Sequence, residues 1–347
     1  MVVYIPDELL IKANDNEEIG QVLKLMFVLF ECGKHKWYLK KNDVRLFHKS
    51  PCLQSYREFI EKYVVEHVAY EKNDEHYLVR LSIESYIKEK MDILTQNPDI
   101  EVKKYLDGKR AIAKYDGNIH DFVDIELAES FLGQPLKIVV ENVESDALFI
   151  TTCLSKIAKI DPSDLWIEFV HGGGSDIPKV LKNFAGKVRV VCIIDCDKNS
   201  PEEISADKKV FCKQLQKICD NFGYILHILN KREMENYIPD SALKKYLNAT
   251  NRCCDDYDYF GLDDIQKDYF DMKKGLHKKC MNLPIWKSIH SSEKEIAATT
   301  TVQSLNLFGF GDNVWKAFEY VESESELKSR DLINELDEIV SKIFQLL

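Results

Sequence analysis

The sequence lacks any apolar run long enough to cross a membrane. Its longest uninterrupted apolar stretch, Leu25–Phe30, is far shorter than the roughly 18 residues that a membrane span requires. The first residues, MVVYIPDELLIK, place no basic segment before an apolar one, so we predict no signal peptide and a cytoplasmic protein without membrane partners. Glycine and proline are scarce, at 14 and 9 of 347 residues, which excludes a collagen-like or low-complexity chain.

An excess of positive charge is also lacking. The 47 Lys and Arg residues are outnumbered by 58 Asp and Glu residues, giving a formal net charge of −11. This balance excludes a strongly basic nucleic-acid coat protein but leaves room for local basic patches. The ten cysteines show no CxxC spacing. We therefore predict reduced thiols, without disulfides or structural zinc.

What is present is the composition of a globular protein, with 45% apolar and 30% charged residues. The length predicts two or three domains. Residues 1–135 mix helical spacing, at 19–31 and 56–67, with a strand pattern at 77–81, which predicts an N-terminal α+β domain for substrate or partner recognition. Gly133-Gln134-Pro135 marks its end. Residues 241–347 are predicted to be a helical C-terminal extension, interrupted near 253–264 and 291–301.

Residues 136–240 alternate strand and helix patterns, which predicts an α/β domain with a parallel sheet flanked by helices. A helix start is predicted where Ser175-Asp176 precedes Pro178. The predicted strands are 137–140, 165–170, 188–194 and 224–229, and the predicted helices are 146–159 and 206–221.

Polar residues follow each of these four strands, and the carboxyl ends of parallel strands form the ligand-binding edge of a sheet. Carboxylates on neighbouring strands repel one another and call for a cation. Oxygen ligands without a His/Cys set favour Mg²⁺ or Mn²⁺, the ions of phosphoryl transfer and phosphodiester hydrolysis. The residues, in strand order, are Glu141; His171, Gly172, Gly173 and Gly174; Asp195 and Asp197; and Lys231, Arg232, Glu233, Glu235 and Asn236.

Each group also has a simpler interpretation when it is taken alone. Asp195 and Asp197 fit a solvated strand end, and Glu141 fits a helix-capping carboxylate. The three glycines fit a flexible turn, and the segment from Lys231 to Glu235 fits a salt-bridged surface helix. Their coincidence at one edge of a sheet favours a shared metal site.

Three of these segments resemble motifs of the TOPRIM (topoisomerase–primase) fold. Glu141 followed by Ser145-Asp146 and Phe149 resembles the first motif, and Asp195-Cys196-Asp197 resembles the DxD motif. Residues 231–239, KREMENYIP, resemble the R-x-x-E-N-Y segment of TOPRIM proteins related to the OLD (overcoming lysogenization defect) nucleases of prokaryotic defence. The resemblance covers roughly residues 136–240, with a weaker echo at 269–275.

The resemblance implies a Mg²⁺- or Mn²⁺-dependent endonuclease acting in antiviral defence. Glu141 would be a metal ligand or general base, Asp195 and Asp197 would bind the metal, and Glu235 would complete the site. Lys231 or Arg232 would stabilise charge on the scissile phosphate, and His171 with the glycines would approach the nucleic-acid backbone through free N–H groups.

Two departures from the family pattern stand in the first motif. Asn142 replaces the usual glycine, and the spacing to Asp146 is one residue longer, so Glu144 competes with Glu141 for the ligand role. OLD proteins also carry an ATPase. This sequence has no GxxxxGK[ST], so an ATPase or sensor would be a separate subunit. A homo-oligomer and the choice between DNA, RNA and tRNA stay open.

Other functions would require further motifs beside these residues. An esterase would need GxSxG beside HGGG, and a Rossmann nucleotide binder would need GxGxxG; both are absent. A DxD phosphatase would carry its motif after the first strand. An inactive TOPRIM scaffold or sensor remains the non-enzymatic alternative.

A nuclease needs basic surface near its metal site. Three stretches offer one. They are Lys179, Lys182, Lys187 and Arg189; Lys273, Lys274, Lys278 and Lys279; and the run Lys34-His35-Lys36-Trp37-Tyr38 with Lys40, Lys41 and Arg45. The last run fits a substrate-binding face or a solvated loop.

Overall fold

The computed structural model describes residues 1–40, 44–67, 77–277, 280–287 and 307–347. Within these ranges the chain forms two β-sheets, one mixed and one parallel, with helices packed against both. None of the helices described is long and apolar enough to span a bilayer. The predicted stretch 291–301 and three basic candidates, Lys41, Lys278 and Lys279, lie outside the described residues.

The first sheet has six strands in the order β2-β1-β3-β6-β5-β4. The first four strands of this order run parallel, and β4 and β5 add antiparallel pairs. The sequence predicted one of these strands, at 77–81. The six strands are β1 (Val2–Tyr4), β2 (Lys36–Tyr38), β3 (Tyr77–Ser82), β4 (Glu101–Tyr105), β5 (Arg110–Tyr115) and β6 (Asn118–Asp124).

Helices cover this sheet unequally. One face packs Val3, Val79 and Val123 into a core with the helices around α2 and α6. The opposite face packs α5 over β5 and β6 through residues such as Met91 and Phe122. The helices are α1 (Asp7–Lys12), α2 (Glu17–Glu31), α3 (Val44–Lys49), α4 (Arg57–His67), α5 (Glu84–Leu94) and α6 (Ile125–Leu132), with 3₁₀ turns at Pro51–Tyr56 and Leu106–Gly108.

The second sheet is fully parallel and has the order β10-β9-β7-β8. Its strands and helices confirm the predicted strand–helix alternation, with ends shifted by up to three residues. They are β7 (Leu136–Val140), α7 (Val143–Lys156), β8 (Ile167–His171), α8 (Ile177–Asn183), β9 (Val190–Ile194), α9 (Ala206–Phe222) and β10 (Ile225–Ile228), with 3₁₀ turns at Pro162–Asp164, Gly174–Asp176 and Met234–Tyr237.

The buried strands of this sheet send alternate side chains to two different cores. Ile138 and Ile193 pack with α7 and the C-terminal helices. Val139 and Cys192 pack with α8 and α9 on the other face. The sheet is therefore covered on both sides, which explains why its strands are almost continuously apolar.

The described C-terminal residues form several helices, as predicted. These helices are short, and many are single 3₁₀ turns. Leu336 and Ile339 pack in the same core as Ile138 of the parallel sheet. The elements are α10 (Asp240–Ala249), α11 (Asp264–Tyr269), α12 (Glu324–Lys328) and α13 (Glu335–Gln345), with 3₁₀ turns at Cys254–Asp256, Asp258–Gly261, Cys280–Asn282, Pro284–Trp286 and Val314–Tyr320.

Candidate functional site

Glu141 and Asp195 lie at the ends of adjacent strands. β7 pairs in parallel with β9, with Val139 opposite Cys192, so both strands end at the same edge of the sheet. Glu141 directly follows β7 and Asp195 directly follows β9. The topology therefore brings together two carboxylates that the sequence placed after the first and third strands of the parallel sheet.

The start of α7 fixes the chain beyond Glu141. The Asn142 side chain accepts a hydrogen bond from Glu144 N at 3.1 Å and so caps the helix. Asp146, one turn into the helix, reaches back to accept from Asn142 N at 2.8 Å and from Ser145 Oγ at 2.6 Å. Asp146 is buried and Glu144 is exposed. This arrangement favours Glu141 over Glu144 as the first-motif carboxylate.

Arg232 holds the loop that carries Asp195 and Asp197. Asp197 has a positive φ of 53°, a conformation that needs outside support in a residue other than glycine. Its N–H donates to Arg232 O at 2.9 Å. The Arg232 guanidinium donates to Lys198 O at 3.1 Å and pairs with Asp271 at 3.1 Å. Arg232 therefore positions this loop, and its predicted contact with the substrate stays a prediction.

The segment after β10 brings a further carboxylate beside Asp195. Met234 N donates to Asp195 Oδ1 at 3.1 Å. Glu235 follows in the same 3₁₀ turn and is 2% exposed. Asn236 fixes the turn, because its amide donates to the carbonyls of Lys267 and Phe270. Glu235 and Asn236 of the R-x-x-E-N-Y segment thus have a structural explanation: Glu235 lies beside Asp195, and Asn236 holds the turn.

Crowding of carboxylates raises their pKa values. Burial, followed by the charges of Glu235 and Glu141, raises the pKa of Asp195 well above its usual range. Burial also raises the pKa of Glu141, with Asp197 adding to the effect and Lys208 opposing it.

Two further acids belong to the same electrostatic group. Burial and the charge of Glu235 raise the pKa of Glu233 to about 7. Burial raises the pKa of Asp146, and Glu235 contributes to that increase. The edge therefore holds more negative charge than its surroundings stabilise.

Two lysines offset part of this charge. Lys208, in the first turn of α9, lies 3.3 Å from Glu141 Oε1 and 2.5 Å from Asp197 Oδ2. Lys273 lies 2.7 Å from Glu235 Oε1 and 3.3 Å from Glu233 Oε2. Although burial disfavours the charged form of Lys273, Glu235 and Glu233 raise its pKa. Both ammonium groups are therefore held as cations among the acids.

The donor set suits a hard divalent cation, since it consists of carboxylate oxygens. Among the described residues, Glu235 Oε1 is buried and pairs with the Lys273 ammonium at 2.7 Å. In the same ranges, however, no three His, Cys, Asp or Glu side chains are grouped as around a bound metal ion. Lys208 instead bridges Glu141 and Asp197. The residues fit a metal in chemistry, and Lys208 would have to withdraw to admit one.

His171 and the glycines lie beside Glu141, because β8 pairs with β7 and places His171 opposite Val140. The expectation of free glycine N–H groups is wrong for two of the three. Gly172 N donates to Val140 O at 2.7 Å, and Gly173 N donates to Glu141 O at 3.2 Å. These N–H groups continue the pairing of the two strands, so a phosphate would have to compete with it. His171 is exposed.

Lys231 lies apart from the carboxylate group, contrary to its predicted role. Its ammonium pairs with Asp268 at 2.6 Å, donates to the carbonyl of Arg330 and lies 4.7 Å from the ring centroid of Tyr237. Burial lowers the pKa of Lys231, with Arg330 adding to the effect. Its charge is used to join the motif to the C-terminal helices.

Each of the three proposed basic surfaces is corrected at one or two residues. Arg189 is buried and donates to the carbonyls of Phe131, Gln134 and Leu346, so it joins the two sheets to the C-terminus. Lys273 belongs to the acidic group. In the run 34–40, His35 and Trp37 are buried, so only part of that run is surface.

Sequence reasoning missed Lys208 and the pairing of Lys273 with acids, and it named Asp146 and Glu233 without giving either a role in the site. A signal existed for Lys208, because the first turn of the helix that follows β9 lies at the same edge as the end of β9. Glu233 and Lys273 meet only through the long-range packing of residues 271–275 on the β10 loop. No local pattern predicts that contact.

Comparisons with protein-family models, curated proteins and solved structures find no match to this chain.

Proposed function

We propose that this protein is a Mg²⁺- or Mn²⁺-dependent TOPRIM-type endonuclease that hydrolyses phosphodiester bonds of nucleic acid. One observation carries the proposal: Glu141, Asp195 and Asp197 end two adjacent parallel strands and crowd together, with raised pKa values at Glu141 and Asp195. Carboxylates that resist ionisation in the metal-free protein are those that a divalent cation would relieve.

In this mechanism the bound metal would polarise the scissile phosphate and lower the pKa of water. Glu141, Asp195 and Asp197 would bind it through their carboxylates. Glu141, whose pKa is raised by burial, is also suited to accept a proton from the attacking water. Lys208, which lies between two of these acids, replaces Lys231 as the cation for the phosphate once it withdraws.

The role in prokaryotic defence rests on the resemblance of residues 231–239 to OLD-like proteins. In that setting the chain would act with a separate ATPase or sensor subunit. Residues 231–239, which resemble the OLD segment, also have a structural role in this chain. Arg232 supports the Asp197 loop, and Asn236 anchors the turn that holds Glu235.

A second function, an inactive TOPRIM scaffold or sensor, is favoured by one observation. Lys208 and Lys273 already pair with four carboxylates of the group, as a protein that had lost its metal would require. In that case the lysines would be permanent, and removing one would destabilise the fold without affecting any metal affinity.

The proposal is tested by incubating the full chain with plasmid, single-stranded DNA and total tRNA in Mg²⁺ or Mn²⁺. We expect cleavage of at least one substrate, abolished by EDTA and reduced at least 100-fold by Asp195→Asn, on the scale of losing a principal transition-state contact. Asp207→Asn, the same change at an exposed position, is the matched control. Equal cleavage by the wild type and Asp195→Asn would refute the assignment. No cleavage, together with no Mn²⁺ binding by calorimetry, would favour the scaffold.

A further inference from the structure

One face of the N-terminal sheet carries a row of aromatic and basic side chains. Tyr4 is paired with Tyr38 on one side and with Arg80 on the other, and Arg80 is paired with Phe122. Residues directly opposite on neighbouring parallel strands project to the same face. Since Val3 points to the opposite face, which packs against α2 and α6, this row lies on the face on which α5 packs over β5 and β6.

A cavity of about 200 Å³ lies between α5 and this row. At ~30 Å³ for each water molecule, it has room for roughly six waters, or for one planar ring of a ligand. We call it the Arg80 pocket. Its side chains combine aromatic rings with cations: Tyr4, Arg80, Tyr86, Lys90, Tyr115 and Phe122.

A hydrogen bond from Arg80 Nε to His120 fixes the Arg80 side chain in this pocket. Its Nε lies 3.1 Å from His120 Nδ1, and its guanidinium lies 5.3 Å from the ring centroid of Tyr4. Burial, followed by the charge of Arg80, lowers the pKa of His120 to about 4, so at neutral pH His120 is an uncharged acceptor for Arg80. The His120 ring stacks on Tyr115, with centroids 3.9 Å apart. A charged guanidinium is thus held beside stacked rings.

A buried polar atom lies behind the pocket, on a residue that contacts Arg80 and Tyr115 of its lining. His120 is 5% exposed, and within the described residues its Nε2 has no hydrogen-bond partner. Such a group costs free energy unless water or a ligand satisfies it.

The charges around the pocket favour an anionic ligand. Lys90 lies one helical turn after Tyr86 on α5, so both reach the same side. Lys40 lies 4.3 Å from the ring centroid of Tyr4. Asp116, at the turn between β5 and β6, is the acid close enough to affect the pKa of His120. A cationic and aromatic site stands out in a chain whose net charge is −11.

We propose that the Arg80 pocket binds a nucleotide unit of single-stranded nucleic acid, with the base against its tyrosine rings and the phosphate at Arg80 and Lys90. Aromatic rings stack on every base, and cations follow the sugar–phosphate backbone. A duplex would not fit, because its bases are already stacked and are not available to a ring-sized cavity. The binding is independent of hydrolysis at the carboxylate edge, and it gives the N-terminal sheet a role in capturing strands.

The test is fluorescence anisotropy of a labelled 12-nucleotide dT or U strand with the full chain in EDTA, where no metal-dependent cleavage occurs. Tyr86 is 42% exposed on a helix, so Tyr86→Ala should fold normally. We expect this variant to bind at least fivefold more weakly. Lys90→Gln should weaken binding about threefold and lower the salt dependence by one phosphate contact.

Lys88→Gln is the matched control, because it makes the same change on the same helix outside the pocket. It should bind like the wild type. Unchanged binding in Tyr86→Ala, an equal loss in Lys88→Gln and Lys90→Gln, or equal affinity for a duplex or for free mononucleotide would each overturn the proposal. Loss of strand binding in Asp195→Asn would place the binding at the carboxylate edge and overturn it too, whatever the cleavage assay shows.

Discussion

Glu233→Gln tests whether the carboxylate group is electrostatically strained in the absence of metal. Glu233 is 7% exposed, and burial with the charge of Glu235 raises its pKa from 4.5 to about 7. The folded state therefore binds more protons than the unfolded state between these two pH values. Its unfolding free energy falls as the pH rises through that interval. Each unit of pKa difference is worth about 1.4 kcal/mol.

From these values, the ionisation of Glu233 costs the wild type about 2–3 kcal/mol of unfolding free energy between pH 5 and pH 8. Glutamine keeps the oxygen that accepts from Met272 N, which lies 2.7 Å from Glu233 Oε1, and it does not ionise. Glu233→Gln should therefore gain stability relative to the wild type as the pH rises. Some of the gain is offset because Lys273 loses one of its two carboxylate partners.

The assay is urea denaturation of both proteins in EDTA at pH 5, 6, 7 and 8, with Glu202→Gln, an exposed position, as the control. The difference in unfolding free energy between Glu233→Gln and the wild type should grow by about 2–3 kcal/mol across this range. A difference that stays constant with pH, or one that shrinks, would refute the reasoning. Glu202→Gln should give a constant difference.

Two further predictions concern Lys208 at the carboxylate edge and His35 in the N-terminal part of the fold. Lys208→Met removes a cation 3.3 Å from Glu141, a distance at which two charges interact by about 5 kcal/mol at an effective dielectric of 20 and about 1 kcal/mol in water. We expect Mn²⁺ to bind about tenfold more tightly by calorimetry, and unchanged or weaker binding would show that Lys208 does not compete with the metal. Burial, the N-terminal ammonium and Arg189 lower the pKa of His35 to about 3, so the unfolded state binds more protons below pH 6.5. The wild type should lose about 2 kcal/mol of unfolding free energy from pH 7 to pH 5, and equal loss in His35→Gln would contradict this origin.

Much of the parallel sheet could be predicted from the sequence because its signals are local. Buried parallel strands are short apolar runs, and each is followed by a polar turn, so Glu141 and Asp195 could be placed at one edge before their pairing was known. The N-terminal sheet was harder to predict. β1 and β2 have three residues each, and their order depends on pairings between distant parts of the chain.

The errors in the site arise from burial, which the sequence does not display. The sequence analysis placed the basic residues Lys231 and Arg189 at a catalytic position and on a basic surface, yet both are buried by the C-terminal segment, through Arg330 and Leu346. Lys273 was assigned to a basic surface and pairs with buried acids instead. In each case the partner is distant in sequence, so residue type alone gives no indication of the contact.

The central claim is that the carboxylates at the edge of the parallel sheet bind a divalent cation. The most direct test is an anomalous-difference map from crystals grown in saturating Mn²⁺ and measured near the manganese absorption edge. We expect a manganese peak among Glu141, Asp195 and Asp197, with the Lys208 ammonium moved away from Glu141. An ordered Lys208 still bridging Glu141 and Asp197, with no manganese peak beside them, would contradict it.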